Sequence, residues 1–166
     1  KGELIQMKKI STSCRVGLLG VSIIVIILDQ ISKHFARSSL ELYLPKAFLP
    51  SWNWTLMYNE GAAFSFLGNQ GGWQKIMFAG FAIVVSAALI YYIMRKSYQM
   101  IAGIAFSFIL GGALGNLIDR IHAGKVTDFI DWYVGTHHWP AFNLADSFIC
   151  VGVTLLVIES LFFSKK

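Results

Sequence analysis

The sequence predicts an α-helical polytopic membrane protein, four transmembrane helices carrying a small β platform. Three observations predict it. The chain of 166 residues is 55% hydrophobic and only 14% charged, where a soluble domain carries roughly 25% charged residues. Its apolar residues fall in four blocks, each extendable to the roughly 20 residues that a bilayer core requires. Its bases stand outside those blocks: Lys8, Lys9 and Arg15 before or at the start of the first, Arg95 and Lys96 after the second, Lys165 and Lys166 after the fourth. That placement orients helices by keeping positive charge on the cytoplasmic side. The net charge of +5 therefore reads as topology. With no glycine-rich phosphate loop and no basic stripe interleaved with stacking aromatics, a nucleic-acid partner is not expected.

Residues 1–6, ahead of Met7, read as a remnant outside the fold, and 7–166 as a single membrane domain. The first apolar run, 16–28, has only 13 residues. That is about 20 Å of helix, short of a hydrocarbon core of about 30 Å. Continued through Asp29-Gln-Ile-Ser-Lys-His-Phe-Ala36 it spans, and no Ala-x-Ala cleavage pattern follows. A first helix over 16–36 results, with Asp29 and Lys33 four apart on one face near the outer interface.

From 40 to 72 the texture changes. Pro45 and Pro50 punctuate, and Trp52-Asn-Trp-Thr-Leu-Met-Tyr-Asn59 alternates large apolar with polar residues, a strand signal. Gly61 breaks it, 62–66 suggests a second short strand, and 68–72 a loop. The tryptophans and tyrosines suit a platform resting on the membrane interface.

The second helix is expected over 76–94, a tight basic turn over 95–99, and the third helix over 101–118. Gly111-x-x-x-Gly115 on the third is a small-residue surface for close helix packing. A loop over 119–141 follows, and the fourth helix covers 143–163. Both termini then lie on the cytoplasmic side, and the platform and the 119–141 loop share the outer face. Cys14 and Cys150 fall near opposite faces of the bilayer, too far apart to bridge.

The 119–141 interval and the start of the fourth helix hold four aspartates, Asp119, Asp128, Asp131 and Asp146. Ionised carboxylates near hydrocarbon are costly, so such acids point to pairing, a watery cavity or chemistry. Two carboxylates that meet share a proton and can act as base and acid on one water. Asp128 and Asp146 are the sharpest candidates, although any two of the four could pair. Asn143 three residues before Asp146 also reads as a capping box, and Asp128 as a solvated loop acid. Asp119 beside Arg120, with Asn116 on the same helical face, reads equally as an ion pair tying the end of the third helix. Asp131 reads as a surface acid, and Asp29 with Lys33 as a structural or substrate-orienting pair. His34, His122, His137 and His138 lack metal-site spacing, so no metal and no cofactor are expected. No Gly-x-Ser-x-Gly appears, which leaves a serine hydrolase unsupported.

Five stretches together resemble one family, the bacterial lipoprotein signal peptidases, polytopic aspartyl proteases also called type II signal peptidases. They are Asp29-Gln-Ile-Ser-Lys33, Asn59-Glu-Gly-Ala-Ala-Phe-Ser65, Gly111-Gly-Ala-Leu-Gly-Asn-Leu-Ile-Asp-Arg120, Val126-Thr-Asp-Phe-Ile130 and Phe142-Asn-Leu-Ala-Asp146, in the family's order. The resemblance implies a bacterial inner-membrane protein with cytoplasmic termini and a periplasmic site; a monomer is expected. It implies cleavage of diacylglyceryl-modified prolipoproteins just before the lipidated cysteine, with membrane lipids as the other contact. It makes Asp128 and Asp146 catalytic, supported by Asp29, Lys33, Asn59, Gly61, Asn116, Asp119, Arg120 and Asn143. The platform and residues 135–139 are then expected to close over the substrate.

Two other classes remain. An ion-coupled transporter would use its acids as a charge relay, but the chain shows no internal repeat and no helix broken at the midplane. A non-catalytic lipid-binding scaffold would find the acids dispensable.

Overall fold

The structure is a computed structural model that describes residues 10–60 and 73–162. In chain order it contains α1 (Thr12–Ser39), β1 (Lys46–Leu49), β2 (Trp52–Asn59), α2 (Trp73–Arg95), α3 (Met100–Ala123), β3 (Val126–Val134), β4 (His137–His138) and α4 (Leu144–Phe162). All four helices are long and apolar enough to cross a membrane. Local chemistry sets their ends. Ser11 Oγ accepts from the Cys14 N–H at 3.2 Å and caps α1. Gly124, at φ 69°, closes α3 by donating its N–H to the Arg120 carbonyl, a left-handed conformation that glycine adopts without penalty.

The helical layer is apolar outside and polar inside. Ile23, Ile24, Ile27, Ile31 and Phe35 of α1 and Ile76, Phe81 and Val84 of α2 are exposed, as lipid-facing side chains should be. Asp29, Lys33, Asn116, Asp119, Ser22 and Ser107 are buried. α3 is the central helix, packed against the other three, and its small residues make that possible. A Cβ on Gly111 would stand 2.6 Å from Val25 Cβ of α1, and one on Gly112 would stand 2.5 Å from the Ala145 carbonyl oxygen of α4. Gly111 and Gly115 thus seat α1, while Gly112 seats α4. At the other end of the bundle, buried Arg15 donates to the Ile93 carbonyl at 2.5 Å, and Tyr98 Oη donates to the same oxygen at 2.7 Å. Two carbonyl lone pairs at the end of α2 are satisfied there.

The strands form one antiparallel sheet in the order β1-β2-β3-β4. β2 occupies the span expected of it. Its partners differ from expectation: they are β1, four exposed residues between the two prolines, and β3. The expected strand at 62–66 and loop at 68–72 lie outside the described residues. The interval 119–141 is not a loop. α3 continues through Asp119 and Arg120 to Ala123, and 126–134 is a strand. The β-branched and aromatic residues of Val126-Thr-Asp-Phe-Ile-Asp-Trp-Tyr-Val favour a pleated, half-buried surface, and β2 supplies it. One face carries an aromatic cluster, in which Trp52 stands 5.1 Å from Trp54 and 6.0 Å from Trp132, and Trp132 4.9 Å from Phe142. Phe142 also bonds to the side of β3 away from β2, donating to Ile130 and accepting from Phe129 and Ile130. That contact delivers the chain to the start of α4.

Candidate active site

The site begins with a lysine that has no access to water. Asp29 and Lys33 are wholly buried and pair at 2.8 Å across one turn of α1. Asp119 of α3 approaches the same ammonium to 3.3 Å. A buried cation is tolerable only with such compensation, and each carboxylate is satisfied further. Asp29 Oδ1 accepts the Ala145 N–H at 3.0 Å, and Asp119 Oδ2 the Thr127 N–H at 3.0 Å. Gln30 Nε2 lies 3.1 Å from Asp29 Oδ2, 3.1 Å from the Gly115 carbonyl and 3.2 Å from Asp119 Oδ1. The absence of a side chain at Gly115 admits this arrangement, since a Cβ there would stand 2.5 Å from Asp29 Oδ2.

This cluster ties α1, α3, β3 and the first turn of α4 to one another. It corrects the expected ion pair of Asp119 with Arg120. Among the described residues the partner of Asp119 is Lys33, because neighbours in a helix do not face each other. Arg120 lies over the Phe78 ring at 5.6 Å and within electrostatic reach of Asp146, Asp128 and Asp119.

The amides come next. Lys33 Nζ donates to Asn116 Oδ1 at 2.9 Å, and Asn116 Nδ2 donates to Asp146 Oδ1 at 2.8 Å. Asn143 Nδ2 donates to Asn116 Oδ1 at 3.1 Å and to Asp128 Oδ1 at 2.8 Å. The Asn143 N–H donates to Asp146 Oδ2 at 3.1 Å, and the Asp146 N–H to Asn143 Oδ1 at 3.0 Å. The last two bonds are a reciprocal capping box at the start of α4. The cap and a working carboxylate are therefore not alternatives. The cap holds one oxygen of Asp146 and leaves the group half-buried beside Asp128.

Asp128 is buried, with a further hydrogen bond from the Asn59 side chain. Burial first, and the negative charge of Asp146 second, push its carboxyl up to about 7, against the hydrogen bonds from Asn143 and Asn59. Asp128 and Asp146 thus share a pocket in which two negative charges are disfavoured, with Arg120 and Lys33 as nearby cations.

Asp131 is not a surface acid. It is buried, and it accepts from His138 Nδ1 at 2.6 Å, Thr55 Oγ1 at 2.9 Å and Asn53 Nδ2 at 3.4 Å. Three residues along a strand from Asp128, it points to the opposite face. Of the expected site residues, Asp29, Lys33, Asn59, Asn116, Asp119, Asn143, Asp128 and Asp146 form one bonded network, with Arg120 at its edge; Gly61 lies outside the described residues. Sequence reasoning misses Gln30, whose one signal is its place beside Asp29. It also misses Asn53 and Thr55, which alternation puts on one face of β2 without revealing what they meet. Among the described residues, no three His, Cys, Asp or Glu side chains converge as metal ligands.

The family described as Signal peptidase (SPase) II matches residues 21–162. The chain is 50% identical over 149 residues to the lipoprotein signal peptidase of Acinetobacter baylyi, covering 89% of this chain and 83% of that protein. It is 48% identical to that of Serratia proteamaculans, covering 88% of each. A solved bacterial membrane enzyme superposes with a TM-score of 0.79 at 31% identity, covering 96% of this chain and 99% of the other.

Proposed function

The chain belongs to the signal peptidase II family, and on that premise we propose that it removes the signal peptide from diacylglyceryl-modified prolipoproteins, cutting just before the lipidated cysteine. It is a membrane protease of lipoprotein processing, and in this reading Asp128 and Asp146 are its catalytic pair. The observation that carries the reading is the shared environment of those two carboxylates. One is buried and pushed up to about 7 in part by the other, and the second accepts a hydrogen bond on each oxygen.

In the resting enzyme Asp128 holds the shared proton and Asp146 is ionised. A water between them loses a proton to Asp146 as its oxygen attacks the scissile carbonyl carbon. Asp128 gives its proton to the carbonyl oxygen, so the tetrahedral intermediate forms as a neutral gem-diol. Asp146 then protonates the departing amide nitrogen while Asp128 recovers a proton from a hydroxyl of the intermediate. The C–N bond breaks and the starting protonation returns. Asn59, Asn116 and Asn143 hold the carboxylates in place, and Arg120 moderates the charge of the pair.

The site sits beside the start of α4 and under β3, at the end of the bundle away from Arg15. With positive charge retained on the inner side, that end is periplasmic and both termini are cytoplasmic, in the bacterial inner membrane. A lipidated substrate then arrives laterally through the bilayer, and the exposed Trp132, Val134 and Trp139 of the sheet rim rest at the interface. The test is a gel-shift assay of purified protein on a diacylglyceryl-modified prolipoprotein without any ion gradient. Cleavage before the modified cysteine supports the reading. An intact substrate, or cleavage only of the unmodified precursor, overturns it.

A further inference from the structure

We propose that Lys33 is a positioning residue that sets the direction of an amide relay and thereby decides which aspartate of the pair is the base; the proposal rests on the dyad reading above. An ammonium can only donate hydrogen bonds. The Asn116 atom 2.9 Å from Lys33 Nζ is therefore its oxygen. A planar amide with its oxygen held there must turn its NH2 the other way, and that NH2 meets Asp146 Oδ1 at 2.8 Å. The second lone pair of the same oxygen takes Asn143 Nδ2 at 3.1 Å. This orients Asn143 in turn. Its other N–H reaches Asp128 Oδ1, and its oxygen is left to accept the Asp146 N–H. One buried cation thus dictates the polarity of two amides that meet both carboxylates.

The outcome is asymmetric. Asp146 receives a donor on each oxygen, Asn116 Nδ2 on one and the Asn143 N–H on the other, which favours its anion. Without a cation at Asn116, the amide can turn and place its oxygen against Asp146. The anion is then opposed, and the proton preference moves toward Asp146. The charged and titratable groups facing the pair are Lys33 with Asp29 from α1, Asp119 and Arg120 from α3, and the partner acids on β3 and α4. The two carboxylates around Lys33, bridged by Gln30, hold its ammonium in place.

The pH–rate profile of prolipoprotein cleavage tests this. In the double variant Asp29→Asn/Lys33→Met, which removes the cation together with one of its counter-charges, the acid limb should rise by about one pH unit and narrow the bell. A purely structural lysine would lower turnover or Tm and leave the acid limb where it was; that result overturns the relay. Asn116→Leu keeps Lys33 between its carboxylates while removing the donor to Asp146, and it should raise the same limb. If the double variant does not fold, Asn116→Leu decides alone, and an unmoved acid limb there overturns the proposal. The two readings fail separately. Wild-type turnover in Asp128→Asn or Asp146→Asn sinks the dyad itself. Inactivity of both, together with an unmoved acid limb in the Lys33 or Asn116 variants, sinks only the relay.

Discussion

Asp128 and Asp131 stand on the same strand, three residues apart, and both are almost completely buried. Their chemistry diverges. Asp128 is pushed up to about 7 by burial and by a second acid beside it. Burial also pulls Asp131 upward, but hydrogen bonds from His138, Thr55 and Asn53 outweigh it and hold the carboxyl below its usual value. Burial alone therefore does not determine what a carboxylate becomes; the groups that share its pocket do. An odd separation on a strand assigns the two acids to opposite faces. One face meets α4 and its aspartate, the other meets hydroxyl, amide and imidazole. The first arrangement keeps a proton in play at neutral pH, and the second fixes an anion.

The largest expected effect breaks this contrast on its reactive side. Asp128→Asn and Asp146→Asn should each lower cleavage by about 10³-fold or more in the gel-shift assay, as loss of an essential acid or base does. Asp128→Asn should also melt at a higher temperature than wild type. A raised folded-state pKa means that the ionised carboxyl costs stability above the unfolded value of 3.8. A lower Tm would show that Asp128 stabilises the fold and serves no strained function.

Asp119→Asn comes next. It leaves Lys33 with one counter-charge, and breaking a buried pair costs about 3–5 kcal/mol. Denaturation of the detergent-purified variant should show a loss of that order. A variant as stable as wild type would mean that Asp29 suffices.

On the quiet side, Asp131→Asn should cost about 1–3 kcal/mol, the range for disturbed buried hydrogen bonds, and change turnover no more than about twofold. Because the folded-state pKa of Asp131 is depressed, its contribution is present above the unfolded value and fades as pH falls through the folded one. The stability gap between variant and wild type should therefore close only below about pH 4. A gap closing at neutral pH would assign the effect to His138 instead.

The smallest effect sharpens the comparison by titration. Cleavage by the wild type should decline as pH rises past about 7, where Asp128 loses the proton that the proposed mechanism has it donate, with an apparent value belonging to the coupled pair. A rate still climbing at pH 9 would remove Asp128 from the acid role.

The sequence displays one side of this comparison better than the other. Asp128 and Asp146 stand in short motifs between apolar runs, and Asn143 announces the helix start that holds Asp146. The four helices are legible from apolar length alone. β3 is harder to see because two acids interrupt its apolar alternation, and β1 is only four residues between prolines. The environment of Asp131 depends on Asn53 and Thr55, more than 70 positions away in the chain, and no local pattern encodes such a meeting. The same holds for Lys33. Its spacing from Asp29 is readable within one helix, whereas its approach to Asn116 and Asp119 depends on the closeness of α3, which Gly111 and Gly115 permit.

If Asp146 is the base proposed above, the capping box at the start of α4 makes helix fraying and inactivation a single event. The bonds that protect the first-turn amides are the ones that aim Asp146, so opening that turn exposes the Asp146 N–H to exchange and misdirects its carboxylate together. Local opening needs far less free energy than global unfolding. Heat should therefore silence the enzyme reversibly before the bundle melts, and the exchange rate of one backbone amide should report the fraction of molecules that can cut.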